Sequence, residues 1–213
     1  CNFCSKTYTS ARFRSIPHVI EEIEMLKEEF GVGAIFFNDE LLVLSRKRTF
    51  ELCEKIKPLN VKWCGQARVD TVDLELLKCM KDAGCVDVGL GIESGSQTIL
   101  NSMNKKSTVK RNLKALRAVK EAGMETVVQC IYGYPGESKE TVKETIDFFG
   151  RADTLHQGFF VLTPLPGTTL YNQCLEKGVI VNQDEYLTNL DAGYNTSRDA
   201  LVNLTDFNIN EFY

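Results

Sequence analysis

Short apolar segments of strand length alternate with longer segments of helical periodicity along most of this 213-residue chain. The apolar segments lie at residues 32–37, 61–66, 85–92, 125–133 and 158–164. In the helical segments between them, apolar residues recur at intervals close to 3.6, as Ile20, Ile23 and Leu26 do in the first. Strands that alternate with helices in this way are typical of βα units built around a parallel sheet.

Glycine stands at the end of three of the helical segments. Gly31, Gly84 and Gly123 each come shortly before the next apolar segment, where a helix commonly ends in the left-handed conformation that glycine adopts easily. The pattern fits an α/β fold, either an open doubly wound sheet or a TIM-like barrel, whole or partial. Residues 172–213 are more polar, so we expect them to form an extension packed on, or following, a core domain of residues 1–171.

Composition narrows the class of protein. The net charge of −4 does not favour a general nucleic-acid binder, and no apolar run approaches the roughly 20 residues that a membrane-spanning helix needs. Five of the eight cysteines lie inside apolar helix or strand patterns, and we expect them to be free and mostly buried: Cys53, Cys79, Cys85, Cys130 and Cys174. Free thiols in this number indicate a reducing compartment, so we expect a cytoplasmic protein.

Polar residues, glycines and prolines follow each predicted strand, at the edge where parallel βα folds bind their ligands. The candidates at the first four strand ends are Asp39, Glu40, Arg68, Glu93, Ser94, Gly133 and Glu137. Each group also has a simpler interpretation. The first two residues fit a helix cap or a solvated turn, the arginine a surface charge, Glu93 and Ser94 a helix start, and residues 132–137 a Pro-Gly turn. Their occurrence at one edge of the sheet favours a binding site.

The chain begins with Cys1 and Cys4 in the sequence CNFC. Two cysteines at this spacing can be half of a zinc site, a redox dithiol or a chance pair. They can also be the last two cysteines of a C-x3-C-x-φ-C motif, in which Phe3 is the aromatic position. The sequence contains no second C-x-x-C to complete a zinc site.

Six segments, taken in order, resemble those of a known family: CNFCS, FFNDE, VKWCGQARVD, LLKCMKDAGCVDVGLGIESGSQTILNSMNK, IYGYPGESKETVKETIDF and TPLPGTTLY. They resemble the core domain of the radical S-adenosylmethionine (SAM) superfamily, from residue 1 to about residue 170. The resemblance is closer to the branch that is often fused to a cobalamin-binding domain. It implies a partial TIM-like barrel of six βα units, of which the first strand is missing from this chain.

The resemblance also implies a [4Fe-4S] cluster. Cys1 and Cys4 correspond to the second and third cluster cysteines, whose thiolates hold iron while one iron stays open to SAM. The first cysteine would lie four positions before Cys1, so we expect this chain by itself to be inactive and to lack an intact cluster. Asp39 or Glu40 would contact the amino group of SAM, although the family commonly has Gly-Gly-Glu at this place.

The other SAM contacts are implied in the same way. Arg68 would face the SAM carboxylate, and Glu93 and Ser94 would bind the ribose hydroxyls. Residues 131–137, among them Ile131, Gly133 and Glu137, would hold the adenine. Here the sequence departs from the family pattern G-x-I-x-G-x-x-E, since Gln129 replaces the first glycine and the glutamate comes one residue late.

The function implied is reductive cleavage of SAM to a 5′-deoxyadenosyl radical, which takes a hydrogen atom from a substrate, expected to be a small molecule. The parent enzyme would be a cobalamin-dependent methyltransferase or a ring-forming or rearranging enzyme, with a cobalamin-binding domain preceding the core. The alternatives are a methylthiotransferase-like enzyme and, from another class, a non-catalytic βα domain that binds a ligand or a partner. Without a preceding strand, residues 32–37 would form a sheet edge, which can pair two copies of the chain.

Overall fold

A computed structural model of the chain describes residues 1–5, 10–153, 157–193 and 201–208. It contains a parallel sheet of five strands, which are β1 (Ala34–Phe36), β2 (Lys62–Ala67), β3 (Cys85–Glu93), β4 (Val128–Tyr132) and β5 (Gln157–Val161). Their spatial order is their chain order, and every neighbouring pair is parallel. A doubly wound sheet reverses its strand order partway, whereas a barrel wall does not. The partial TIM-like barrel is therefore confirmed, and the open doubly wound alternative is wrong.

The described residues form eight α-helices, which are α1 (Ile16–Phe30), α2 (Arg46–Ile56), α3 (Leu74–Asp82), α4 (Gln97–Ser102), α5 (Val109–Glu121), α6 (Lys139–Ala152), α7 (Thr169–Glu176) and α8 (Gln183–Gly193). The five helical segments expected from periodicity are α1, α2, α3, α5 and α6. Side chains of Ser15, Asp73, Thr108 and Ser138 accept backbone hydrogen bonds at their N-termini, as caps do. Left-handed glycines after α1, α3 and α5 confirm the predicted stops.

The main hydrophobic core lies between the sheet and its helices. Val88, Leu90 and Ile92 alternate along β3 and are fully buried against them. The Trp63 ring of β2 is buried in the same layer, and its Nε1 donates to the Ala83 carbonyl at 2.9 Å. Burial of each such side chain contributes about 1.5–3 kcal/mol, so the outer face of the sheet fixes the positions of the strands.

The opposite, inner face of the sheet is more open. Gln66, Gly89, Gly91 and Gln129 occupy the alternate positions of β2, β3 and β4, and they are only half-buried. A second hydrophobic cluster lies beyond the carboxyl ends of the strands. Its buried residues come from α4, α7, α8 and the loops around them: Ile99, Met103, Tyr134, Leu162, Leu170, Tyr171, Cys174, Ile180 and Tyr186. The domain boundary after residue 171 stays a prediction.

All eight cysteines are free thiols. Cys53, Cys85, Cys130 and Cys174 are buried and Cys79 is half-buried, which confirms the interpretation of these five. Burial raises the pKa of Cys85 to about 12, so its thiol is protonated and unreactive at neutral pH. In the described parts of the chain, no helix combines the length and the apolar character that a membrane crossing requires.

Candidate functional site

The carboxyl edge of the sheet brings most of the predicted site residues together. Arg68 directly follows β2, Glu93 is the last residue of β3, and Gly133 directly follows β4. Because these three strands are neighbours and parallel, their carboxyl ends meet at one edge. The shared edge follows from topology alone, and the side-chain contacts described below define the site.

Cys1 and Cys4 lie at this same edge as exposed, free thiols. The loop between them is anchored to the body of the molecule through Asn2, whose backbone bonds to the end of α4 and to the start of α7. Phe3 packs edge-on against Tyr134, with 6.3 Å between ring centroids. In the described residues, no three His, Cys, Asp or Glu side chains form a group able to hold a metal ion. The loop thus carries two exposed thiols at this edge of the sheet.

Arg68 lies close to Cys4 and is held by Asp70. Its Nε and Nη2 donate to the two carboxylate oxygens of Asp70 at 2.8 and 2.9 Å. This fork lowers the pKa of Asp70 and raises the pKa of Arg68, to which the nearby Cys4 side chain adds a smaller electrostatic effect. The Arg68 side chain is 40% exposed. The arginine is therefore pre-oriented beside the cysteine loop, with its Nη1 group outside the Asp70 pair.

Glu93 forms an ion pair with Lys105, a residue that the sequence analysis missed. Lys105 Nζ lies 2.5 Å from Glu93 Oε1, and each side chain is only 11% exposed. The carboxylate folds back over Gly91, where a Cβ atom would lie 2.7 Å from Oε1. Glu93 has φ of 65°, a conformation that costs a non-glycine residue energy and is commonest at functional positions. A strained, charged residue at the end of a central strand is the strongest local signal in the site.

Ser94 makes internal contacts. It is fully buried, its Oγ lies 3.1 Å from the Thr145 hydroxyl of α6, and it accepts the Ser96 N–H at 3.1 Å. The Gly95 N–H donates to the same Thr145 hydroxyl at 3.0 Å. Ser94 thus shapes the turn between β3 and α4, as the helix-start interpretation expects, and its contact with a ribose stays a prediction.

Glu137 closes the loop that follows β4. The carboxylate is buried and accepts the Gly133 N–H at 2.5 Å. The Glu137 N–H donates in turn to the Tyr134 carbonyl at 2.9 Å. Burial raises the pKa of Glu137, and the bonds from the Gly133 and Tyr134 backbone partly oppose that shift. Glu137 therefore fixes the shape of this loop, while Ile131 on β4 packs against the second cluster, as Phe3 also does.

Asp39 and Glu40 lie in the exposed turn that follows β1. Within the part of the chain that the structure describes, no hydrogen bond or ion pair joins them to the other predicted site residues. Exposure leaves both carboxylates available to a ligand above the edge of the sheet. Their assignment stays a prediction.

Comparison with known proteins gives a family. The model of the Radical SAM superfamily matches residues 1–149. An uncharacterized methyltransferase of Pyrococcus horikoshii is 32% identical over 86% of this chain and 41% of its own length. The anaerobic magnesium-protoporphyrin IX monomethyl ester cyclase of Cereibacter sphaeroides is 35% identical over 87% of this chain and 32% of its own length. The chain thus spans less than half the length of these relatives.

Solved structures share the fold. A radical S-adenosylmethionine methyltransferase from Kitasatospora setae, with cobalamin and a [4Fe-4S] cluster bound, matches with a TM-score of 0.70. The match covers 78% of this chain and 32% of that one at 23% identity. At this identity the likeness concerns the arrangement of strands and helices, which is the same partial barrel.

Proposed function

Since the chain belongs to the radical SAM superfamily, we propose that it is the core of an enzyme that cleaves SAM reductively at a [4Fe-4S] cluster. One observation carries the proposal. The Cys1–Cys4 loop is docked at the carboxyl edge of a partial barrel, beside Arg68 and beyond the end of β3. The core would comprise residues 1–171, and residues 172–213 would form an extension that packs on it or follows it.

Cys1 and Cys4 fit a cluster by chemistry and by exposure. Thiolates are the usual protein ligands of iron–sulfur clusters, and both thiols are free and exposed. They would supply two of the three thiolates of the family motif. When bound and reduced, the cluster supplies the electron that breaks a carbon–sulfur bond of SAM. The chain's part is to orient SAM and to shield the site from water.

The polar groups at the edge suit the parts of SAM. Arg68 can pair with the carboxylate through Nη1 while Asp70 holds the other two nitrogens. Asp39 or Glu40 would accept from the amino group. Glu93 would accept from the ribose hydroxyls, with Lys105 fixing its position and Ser94 shaping the turn behind it.

The adenine would lie against the loop after β4. Ile131 offers an apolar surface there, and Gly133 and the residues after it offer backbone groups. Glu137 holds this loop in shape from its buried side. Its role is therefore to position the loop, and it does not need to touch the base.

The parent enzyme is proposed to be a cobalamin-dependent methyltransferase or a ring-forming or rearranging enzyme. Relatives whose names describe a methyltransferase and a cyclase support both reactions, and the Kitasatospora setae structure contains cobalamin. We expect a small-molecule substrate, a cobalamin-binding domain in the parent chain and a cytoplasmic location, for which the free cysteines are the support.

A second candidate is a methylthiotransferase-like enzyme. The putative methylthiotransferase of Methanocaldococcus jannaschii is 30% identical over 80% of this chain. Fewer relatives support this candidate than support methyl transfer. Two further relatives have names that describe methyltransferases acting on bacteriochlorophyllide d. Product analysis separates the candidates, because only methylthiotransfer adds sulfur to the substrate.

The test uses the full-length protein, prepared and reconstituted without oxygen. We expect about four irons per chain and release of 5′-deoxyadenosine from SAM when a strong reductant is added, measured by mass spectrometry. Cys4→Ser should lose most of the iron. Cys79→Ser, which changes a half-buried thiol on α3, should keep it. A colourless wild-type protein that does not bind SAM would leave the non-catalytic domain as the better explanation.

A further inference from the structure

Asn2, between the two cysteines, makes more contacts with the rest of the molecule than its place at the chain start suggests. Its backbone N–H donates to the Met103 carbonyl at 3.2 Å, and its carbonyl accepts from the Leu170 N–H at 3.1 Å. Its side-chain Nδ2 donates to the Ser102 carbonyl at 3.3 Å. Three hydrogen bonds therefore join the middle of the cysteine loop to α4 and α7.

Two of these bonds satisfy carbonyls that α4 cannot satisfy itself. The last carbonyls of any helix lack partners within it. At the end of α4, the N–H groups of residues 103, 104 and 105 bond to the carbonyls of residues 99, 101 and 100, respectively. The Ser102 and Met103 carbonyls come next, and Asn2 supplies a donor to each. Asn2 thus caps α4 from a distant part of the chain.

The same end of α4 places Lys105 beside Glu93. Asn104 and Lys106 have φ of 52° and 58°, so the chain makes a tight reversal directly after the capped carbonyls. Lys105 lies between these two residues and pairs with Glu93. A displacement of the α4 terminus would therefore move the cation that holds Glu93.

Tyr134 brings the loop after β4 to the same point. Its hydroxyl lies 3.5 Å from the Ser102 carbonyl, the same carbonyl to which the Asn2 side chain donates. Its ring contacts Phe3, and its carbonyl accepts the N–H of Glu137. Asn2 and Tyr134 therefore meet at one carbonyl of α4, which links both segments that are proposed to hold the nucleoside of SAM.

We propose that Asn2 is a positioning residue that couples the cysteine loop to the nucleoside-binding groups of the site. By capping α4 at the carbonyl that Tyr134 also contacts, it fixes the positions of the Cys1 and Cys4 thiols relative to Glu93 and the loop after β4. The inference rests on the proposed function, since it concerns the same cluster and the same SAM. Coupling of this kind is reciprocal, so a change at Asn2 affects SAM affinity and also the response of the cluster to SAM.

The test compares Asn2→Ala and Asn2→Asp with wild type in the full-length, reconstituted protein. Iron content should stay near that of wild type, because Asn2 is not a ligand. SAM affinity, measured by calorimetry, should fall about two- to tenfold in Asn2→Ala, as expected for one lost hydrogen bond. Asn2→Asp should lose more SAM affinity, because a carboxylate oxygen would then face the Ser102 carbonyl oxygen and repel it. Asn172→Ala, at an exposed position of α7, is the matched control.

Two readouts separate positioning from a general loss of stability. The change that SAM produces in the electron paramagnetic resonance spectrum of the cluster should be smaller in both variants. In iron-free protein, hydrogen exchange across residues 101–106 should be faster than in wild type. Tyr134→Phe keeps the ring and removes the hydroxyl. Its effect on SAM affinity should be non-additive with that of Asn2→Ala, as expected for residues in one hydrogen-bond network.

The outcomes are distinguishable. If wild-type protein neither holds iron nor binds SAM, the proposed function fails. If wild type does both, and the two Asn2 variants match it in SAM affinity and in the resonance spectrum, this inference alone is overturned. Strict additivity of Asn2→Ala and Tyr134→Phe would overturn the link to the loop after β4.

Discussion

Glu93 and Lys105 are two charged side chains that are almost removed from water. Removal of one partner of a buried ion pair leaves the other charge uncompensated, which costs more than the pair contributes. We therefore expect Glu93→Gln in the complete protein to lower the free energy of unfolding by about 3 kcal/mol. We also expect it to weaken SAM binding about tenfold, through the loss of a charge-assisted hydrogen bond. Denaturant unfolding and calorimetry measure the two effects.

The double variant Glu93→Gln, Lys105→Met tells the two effects apart. The second substitution removes the Lys105 charge that Glu93→Gln leaves unpaired, so the free energy of unfolding should return toward that of wild type. SAM affinity should stay low, because the carboxylate is still missing. A double variant that recovers SAM affinity together with stability would mean that Glu93 has only a structural role.

Single residues show where the sequence was informative. Arg68 and Glu93 could be found because they lie just beyond the ends of predicted strands, and strand ends can be read from periodicity. Lys105 could not, because its approach to Glu93 depends on two left-handed residues that no periodic pattern marks. The three bonds of Asn2 join residues about 100 or more positions apart. Such contacts arise from tertiary packing and have no local sequence signal.

Among the elements, β1 is the edge strand that we expect to pair with another chain. Within the described residues it pairs only with β2, and Phe36 is 62% exposed. An unpaired edge with an exposed aromatic residue is a template for pairing with another chain. We expect the 213-residue chain to self-associate through β1 and Phe36→Lys to reduce this association, as measured by sedimentation.

Phe160→Lys is the matched control for β1. Phe160 is exposed on β5, the strand at the other end of the sheet. If Phe160→Lys reduces association and Phe36→Lys does not, then β5 is the pairing edge and the prediction for β1 is wrong.

The elements also differ in how clearly the sequence predicts them. The strands and the five amphipathic helices follow from periodicity, with bounds within a few residues. The expected strand at 125–133 is shorter, at Val128–Tyr132, because only an isolated bridge joins Glu125 to Asp87. The six-residue α4 is too short to show a helical period. α7 and α8 lie in or border the polar tail, where apolar residues are too sparse for a clear pattern.

At the scale of the whole molecule, the second hydrophobic cluster joins distant parts of the chain. Leu162 is buried there with Cys174, Ile180 and Tyr186, and the Tyr186 hydroxyl donates to the Pro164 carbonyl at 2.7 Å. A chain ending at Tyr171 would lose these contacts. We expect its free energy of unfolding to fall by about 3 kcal/mol or more and its binding of a hydrophobic dye to rise.

A chain ending at Asn208 is the control for this truncation, because it keeps all the cluster residues named above. The truncation after Tyr171 could instead leave both stability and dye binding unchanged. Residues 172–213 would then be an independent extension, and the core would be complete at residue 171.

Gly95 has a consequence for how this fold can vary. A Cβ atom there would lie 2.5 Å from Phe148 Cβ and 2.7 Å from Thr145 Cα, so the backbone of the β3–α4 turn and α6 touch directly. Any side chain at this position requires α6 to move outward, and α6 begins directly after the loop that Glu137 holds. A substitution at residue 95 is therefore tolerated only if α6 shifts with it. The inner face of the sheet carries no such restriction at Gly89, whose nearest neighbour is a flexible Gln66 side chain. Residue 89 can therefore vary while the contact at Gly95 keeps the β3–α4 turn and α6 in place.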